Sequence, residues 1–274
     1  MSKHVKNQHY VPRFLLKKFS SREDNFIWAY DKNNDYNKIK ERPIRKVANE
    51  FFFYDQIKNS KKGSFEYVLQ TVENDVAPII EKILKVKNLR NLNDIERDKI
   101  ALFVASQIFR TKGHLFESER MDREFSRTME EHLSNPIPEL NSKELWFSTL
   151  ANIPFFKNIL LNKIWHLIES NNEFYISDNP VVRQNSTDKS KFRGTLGIDS
   201  YGIEIYLPLS PSIVIALFCE KFFNERGYNN IYIDKFQTEP DNIKNLNWLQ
   251  TKNSDRFIFS SKKDFSLVQS ILQK

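Results

Sequence analysis

The spacing of apolar residues divides the chain into three parts. Near the start, RFLLKKF puts Phe14, Leu15 and Phe19 on one helical face behind Pro12, which suits a first turn, so a short helix follows the opening residues. NFIWAYDK (26–33) alternates aromatic positions and runs into DKNND, the pattern of a strand and a polar turn. YNKIKERPIRKVANEFFFYD continues or wraps that sheet, with Pro43 marking an edge or a connection. From KKGSFEYV onward the period lengthens: Phe65, Leu69, Val72, Val76, Ile79, Ile80 and Ile83 recur at helical spacing behind Ser64 as a cap, with Pro78 as a kink or break. Asn93 and Glu96 have capping-box spacing and open a second helical stretch through ASQIFRTKGH to MEEHL, weakened at Gly113. A loop around NPIPEL precedes a third amphipathic segment, about 142–170, ending in NKIWHLIESNN.

The last third returns to strands. EFYISDNPVV reads as a strand entering an Asx-Pro turn, YGIEIYLPLS and PSIVIALFC as apolar strands divided by Pro208 and Pro211, and RFIFSS as another. Between them, PDNIKNLNWLQTKNS forms a helix with Asp241 as its cap. The sum is an α+β fold, with a mixed sheet built from N- and C-terminal segments and a large central helical region. No repeat or low-complexity linker divides it. Residues 1–274 therefore read as a single domain with a helical insertion, or two interlocked lobes, with a strand/helix segment 1–60, a helical region 61–170 and an α/β part 171–274.

Composition narrows the setting. A chain of 274 residues, 40% of them hydrophobic, can bury a substantial core. The net charge of +7 (42 basic against 35 acidic residues) suits a polyanionic partner, nucleic acid or another phosphate-bearing ligand, although an AT-rich genome would enrich lysine as well. The single cysteine, Cys219, excludes a disulfide framework and a cysteine zinc site and fits a reducing cytoplasm. No apolar run reaches the roughly 18–20 residues of a spanning helix, and the basic start lacks the apolar stretch of a signal peptide, so no membrane partner is expected. Oligomeric state stays open.

Catalytic signatures are sparse. Walker, HExxH, GxSxG and Rossmann patterns are missing, and GTLG at 194–197 reads as a plain turn. Four stretches concentrate polar chemistry instead. In QHYVPR, His9 is a candidate acid or base, with Tyr10 beside it and Arg13 four residues on; the plainer reading packs His9 and Tyr10 against the body. In ASQIFRTKGH, Gln107 and Arg110 stand on an otherwise apolar helix, where a guanidinium needs either a carboxylate partner or an anionic ligand. Arg110 and His114 have an Arg-to-His spacing similar to that of HEPN ribonucleases, but shorter than that family's interval. In SDNP, Asp178 and Asn179 follow an apolar strand, where a carboxylate can serve as base or metal ligand and where Asx residues equally close turns. Glu66 and Glu73, near one face of a helix, are a second carboxylate source or simply solvated charges.

NQHYVPRFLLKKF, IWAYDK, ASQIFRT, EFYISDNPVV, LPLSPS and NIKNLNWLQTKNSDRFIFSS occur in an order that resembles the bacterial family catalogued as domain of unknown function 4238, over nearly the full length. The Gln-His-Tyr-Val-Pro opening is the most specific part of the likeness, which carries no established reaction. What it implies is that His9, Tyr10, Pro12, Arg13, Gln107, Arg110, Asp178, Asn179, Pro180 and Arg256 meet in space. The expectation is a cleft with His9 and Asp178 as the catalytic pair and Tyr10, Arg13, Gln107, Arg110, Asn179 and Arg256 holding substrate. A divalent metal is the open cofactor candidate. Those roles fit a nuclease of a defence or toxin type; the alternatives are a module that binds nucleic acid, nucleotide or protein without chemistry, and a buried network that fixes the N-terminal segment.

Overall fold

The computed structural model describes residues 5–22, 25–36, 38–57, 63–130, 142–185, 187, 196–226, 236–237 and 239–273; the loop around NPIPEL, the last three residues (131–133) of the MEEHL end of the second helical stretch and the first half of GTLG lie outside the described residues. In chain order the N-terminal part contains β1 (Asn7–His9), α1 (Arg13–Lys17), β2 (Phe26–Asp31), β3 (Ile39–Pro43), a 3-10 turn (Ile44–Lys46) and β4 (Asn49–Phe51). The helical part contains α2 (Glu66–Val86), α3 (Asp94–Phe109), α4 (Lys112–Glu130), α5 (Ser142–Ala151) and α6 (Ile153–Leu161). Then come β5 (Ile164–Glu169), β6 (Ile176–Ser177), β7 (Val182–Asn185), β8 (Ile203–Ser210), β9 (Ile213–Phe218), α7 (Glu220–Glu225), β10 (Phe236–Gln237), α8 (Pro240–Asn253), β11 (Phe257–Ser260) and α9 (Ser266–Leu272). The fold is α+β.

The two ends of the chain meet in an antiparallel four-stranded sheet of order β3-β2-β11-β6. The mixed sheet is a different one. Its order is β10-β5-β9-β8-β7, parallel only between β10 and β5, and all its strands come from the C-terminal half. A two-stranded ribbon, β1 with β4, holds the opening segment, with Gln8 opposite Glu50 and His9 opposite Asn49. Expecting one sheet from both ends was therefore correct about the joining of termini and too simple about the number of sheets.

The helical region ends sooner than its apolar pattern suggests. IWHLIE is strand β5, because both of its faces are covered: Trp165 and Leu167 join the core shared with α2 and α3, while Ile168 joins the cluster under α8. A run buried on both sides has no period to distinguish strand from helix. Pro208 lies inside β8, at an irregularity before Ser210, and does not divide two strands. Asn93 and Glu96 do form a reciprocal capping box. The other two caps differ in part: Phe65 is the residue before α2 and has no side-chain cap, while Ser64 one residue earlier accepts from the Glu66 N–H (3.4 Å) and donates to Asp55 (2.7 Å); α8 begins with Pro240 in its first turn, after Glu239, so that Asp241 lies inside the helix. α3 ends at Phe109, just ahead of Gly113.

Helices α2 and α3 pack one face of the mixed sheet through a core that includes Val76, Ile80, Phe103, Val104, Leu207 and Leu217, and α8 covers the other face with Ile243, Leu246 and Leu249. α9 closes the four-stranded sheet through Phe265 and Val268 against Tyr30, Tyr175 and Ile258. No helix among the described residues is long and apolar enough to cross a membrane.

Candidate functional site

The opening motif is docked, and it is docked by its own side chains. Gln8, fully buried, donates from Nε2 to Asp55 Oδ1 (2.8 Å) and accepts from Tyr54 N–H at Oε1 (2.6 Å), and Tyr10 N–H donates to the Ala48 carbonyl (3.0 Å). The Pro12 carbonyl accepts from Leu15 and Leu16, starting α1, whose Leu15 and Leu16 are buried with Phe19 beyond it; Phe14 packs at 5.5 Å on Phe103. The His9 ring bonds to the Ile44 backbone and lies 3.3 Å from Asn49 Nδ2. Burial first, then the Arg13 and Arg110 charges, push its pKa down to about 4, so the imidazole is neutral at physiological pH.

Arg110, just past the end of α3, is about 1% exposed, and its guanidinium is fully committed. Nη1 pairs with Glu73 Oε1 (2.7 Å), Nη2 donates to the His9 carbonyl (2.6 Å) and Nε to the Tyr54 hydroxyl (3.1 Å), which itself donates to the Arg110 carbonyl (2.9 Å). The carboxylate and hydroxyl hold the guanidinium protonated well above its ordinary range against the opposing effect of burial. Glu73 is thus an ion-pair partner and not a free surface charge, and Glu66, 6% exposed, is raised by burial to about 7. Gln107 is fully buried with neither amide atom hydrogen-bonded, an arrangement that an internal water ordinarily completes.

Asp178 closes the turn after α8. Oδ1 accepts from Asp255 N–H (2.9 Å) and Oδ2 from Arg256 and Phe257 N–H (both 2.7 Å); burial raises the carboxyl to about 6, and the three N–H bonds oppose that rise. Arg256 forks onto Asp31 with two bonds of 2.8 Å, and Arg42 adds a third at 3.1 Å. Tyr10 stacks obliquely on Phe53 at 5.8 Å, with burial and the Asp178 charge raising its hydroxyl far above the ordinary value. The expected segments do converge: His9 touches Arg110, Tyr10 feels Asp178, and Thr111, the neighbour of Arg110, donates to Asn179 Oδ1 (2.9 Å). Their polar atoms, however, are occupied by groups of the protein itself: Glu73, Tyr54 and the His9 carbonyl for Arg110, backbone N–H groups for Asp178 and Asp31 for Arg256. Together they form a clamp: Arg110 ties the opening segment to α2, Asp178 and Arg256 fix the start of β11 against β2, and the Thr111–Asn179 bond joins the two halves.

A second polar assembly lies next door. A cavity of about 410 Å³ opens between α4 and β7, lined by His114, Glu117 and Met121 from α4, Arg183 from β7, and Asn179 and Asn253. His114 Nδ1 is 3.9 Å from Glu117 Oε2, and the ring meets Phe109 edge-on at 5.1 Å. Burial, with Arg183 assisting, lowers the His114 pKa to about 4 despite Glu117. Arg183 Nη1 donates to the Leu196 carbonyl (2.9 Å), and no carboxylate among the described residues is within ion-pair distance of it. Asn179 is held by Thr111 and by its own Nδ2 bond to the Asn253 carbonyl (3.2 Å), so the SDNP turn presents one face to the clamp and the next residue to the cavity. Arg183 and Glu117 escape a reading by motif, since the pocket joins α4 to a strand some 70 residues away, though a charged Arg183 beside Val182 in a strand was a visible irregularity. His114 was visible only through a pairing with Arg110 that the two side chains do not make. Among the described residues, no group of three His, Cys, Asp or Glu side chains converges on a metal position.

Fold and site together define an α+β protein whose termini are clamped to a helical body beside a His/Glu/Arg pocket. The chain belongs to the family described as a protein of unknown function, DUF4238, whose model matches residues 7–264. No curated protein and no solved structure matches it.

Proposed function

We propose that this protein acts on a phosphodiester, with nucleic acid as the substrate class, in the pocket between α4 and β7. The observation that carries the reading is the meeting of a neutral imidazole, His114, with the Glu117 carboxylate and with Arg183, which has no carboxylate within ion-pair distance among the described residues, in one cavity of about 410 Å³. Neutral His114 takes a proton from the attacking hydroxyl or water as its oxygen bonds to phosphorus, Glu117 stabilises the imidazolium that forms, and as the P–O bond to the leaving oxygen breaks the imidazolium returns that proton to it while Arg183 neutralises the non-bridging oxygens. Asn179 lines the same wall. The geometry favours these residues over His9 and Asp178 because the latter pair's polar atoms are occupied by backbone groups and Asn49. A free, buried Cys219 is compatible with a reducing, cytoplasmic setting.

Purified protein incubated with labelled DNA and RNA, with and without Mg²⁺ or Mn²⁺, tests the proposal. Wild type should cleave at least one of them, and His114→Asn should lose about 10²–10⁴-fold in rate with its melting temperature retained. Binding without cleavage in every condition would favour the module that recognises nucleic acid without chemistry, and an active His114→Asn enzyme would remove the pocket from consideration.

A further inference from the structure

Helix α1 and the 3-10 turn enclose a second concavity, of about 360 Å³, whose walls include Arg13, Lys17 and Arg45 together with Asn25, Phe26 and Ile44. Arg13 and Lys17 stand one helical turn apart, and Arg45 comes from the opposite wall. Among the described residues none of the three side chains has a hydrogen bond or an ion pair. The cations that follow on the same segment are different: Lys18 is paired with Glu81 and Arg22 with Glu41. Three like charges drawn to one hollow repel each other, and no carboxylate among the described residues relieves them there. An anionic ligand would. The hollow is also held in place, because Ile44 is buried and its backbone bonds to the His9 ring, while Asn49 Nδ2 donates to the Arg45 carbonyl (3.2 Å).

We infer that this groove binds the phosphodiester backbone of a single nucleic-acid strand. Arg13 and Arg45 fork phosphate oxygens, Lys17 adds a point charge, and the half-buried Phe26 offers an apolar wall for a base or sugar. The inference rests on the reading of the pocket for its ligand class but on separate residues for its site, so it extends that reading from one phosphodiester to a polymer that carries many. Concavity and unpaired charge together set the groove apart from the scattered lysines of a basic surface.

Two variants of the full chain that remove the same charge distinguish a built groove from general basicity. One is Arg13→Gln/Lys17→Gln/Arg45→Gln; the other is Lys244→Gln/Lys262→Gln/Lys263→Gln, on α8 and beyond β11. Their anisotropy titrations against labelled single-stranded RNA and DNA of about 16 nucleotides are compared between about 50 and 200 mM salt. The groove variant should bind about 10- to 100-fold more weakly, with its log–log salt slope reduced by about 2, as three lost phosphate contacts on a single strand require. The control variant should stay within about threefold of wild type. Equal weakening of the two variants, or no binding by wild type to either strand, would overturn the groove. Binding lost in the groove variant but kept in His114→Asn supports the groove even where cleavage is never seen, so the groove and the pocket fail separately.

Discussion

Replacing Arg110 by Met removes the centre of the clamp while keeping most of the buried volume. The substitution deletes the 2.7 Å bond to Glu73, the 2.6 Å bond to the His9 carbonyl, the 3.1 Å bond to the Tyr54 hydroxyl and a guanidinium lying 5.3 Å from the Tyr54 ring centre. The Tyr54 hydroxyl keeps its bond to the residue-110 carbonyl, so the main cost is a carboxylate left without its cation and a carbonyl without its donor. Breaking a buried ion pair in this way costs about 3–5 kcal/mol; the Glu73 side chain retains 20% exposure, which sets the expectation near the lower end, about 3 kcal/mol. With a urea m-value of about 3 kcal/mol/M, the unfolding midpoint should fall by about 1 M at pH 7. Adding Glu73→Leu should restore at least half of the loss, because the stranded charge goes with it. An Arg110→Met protein whose midpoint moves by less than about 0.3 M, yet which no longer cleaves nucleic acid, would return Arg110 to the role of an anion clamp and refute its structural one.

The other expectations concern the turn, a backbone position and the titration of the pocket. Asp178→Asn leaves one oxygen to serve three N–H donors and should lower stability by about 2–4 kcal/mol in urea unfolding; a variant as stable as wild type would deny the turn its anchor. Gly202 has φ +75°, and a Cβ there would lie 2.4 Å from Thr187 Oγ1, so Gly202→Ala should cost about 1–3 kcal/mol, read as a lowered melting temperature, with no change contradicting the strained geometry. His9 and His114 titrate near 4 against an ordinary 6.5, so in this pH range the unfolded chain takes up protons before the folded one. Their contribution to stability is present above 6.5 and is lost as pH falls from 6.5 towards 4, about 3 kcal/mol for each histidine. Asp178 and Glu66, raised to about 6 and 7, act oppositely: below those values the folded state holds the extra proton and gains stability. The acid limb of stability should therefore be shallow, and the imidazole NMR signals of both histidines should move near pH 4; a His114 midpoint above 6 would contradict its burial.

Much of the local structure was legible because it is locally determined. The RFLLKKF helix, the Asn93–Glu96 cap and the strands IWAYD and FIFS depend on neighbouring residues, and each forms where the pattern puts it. IWHLIE was not legible, since its helical neighbours share its apolar run and only the covering of its second face by α8 makes it a strand. The convergence of QHYVPR, ASQIFRT and SDNP was also readable, through the likeness of motif order. What residue types could not convey is direction. An arginine on an apolar helix can serve a ligand or a carboxylate, and Glu73, 37 residues away, decides the matter for Arg110. The same blindness hid the pocket, because His114 and Arg183 meet only through the packing of α4 beside β7.

The protein carries two polar assemblies, a clamp around Arg110 and Asp178 and, around His114, the pocket proposed to be reactive. Cleavage of a labelled RNA strand by wild type, His9→Asn and His114→Asn, each corrected for its folded fraction, tests that separation most directly. His9→Asn should stay within about tenfold of wild type while His114→Asn falls by at least about 100-fold. A folded His9→Asn protein without activity, beside an active His114→Asn protein, would contradict it.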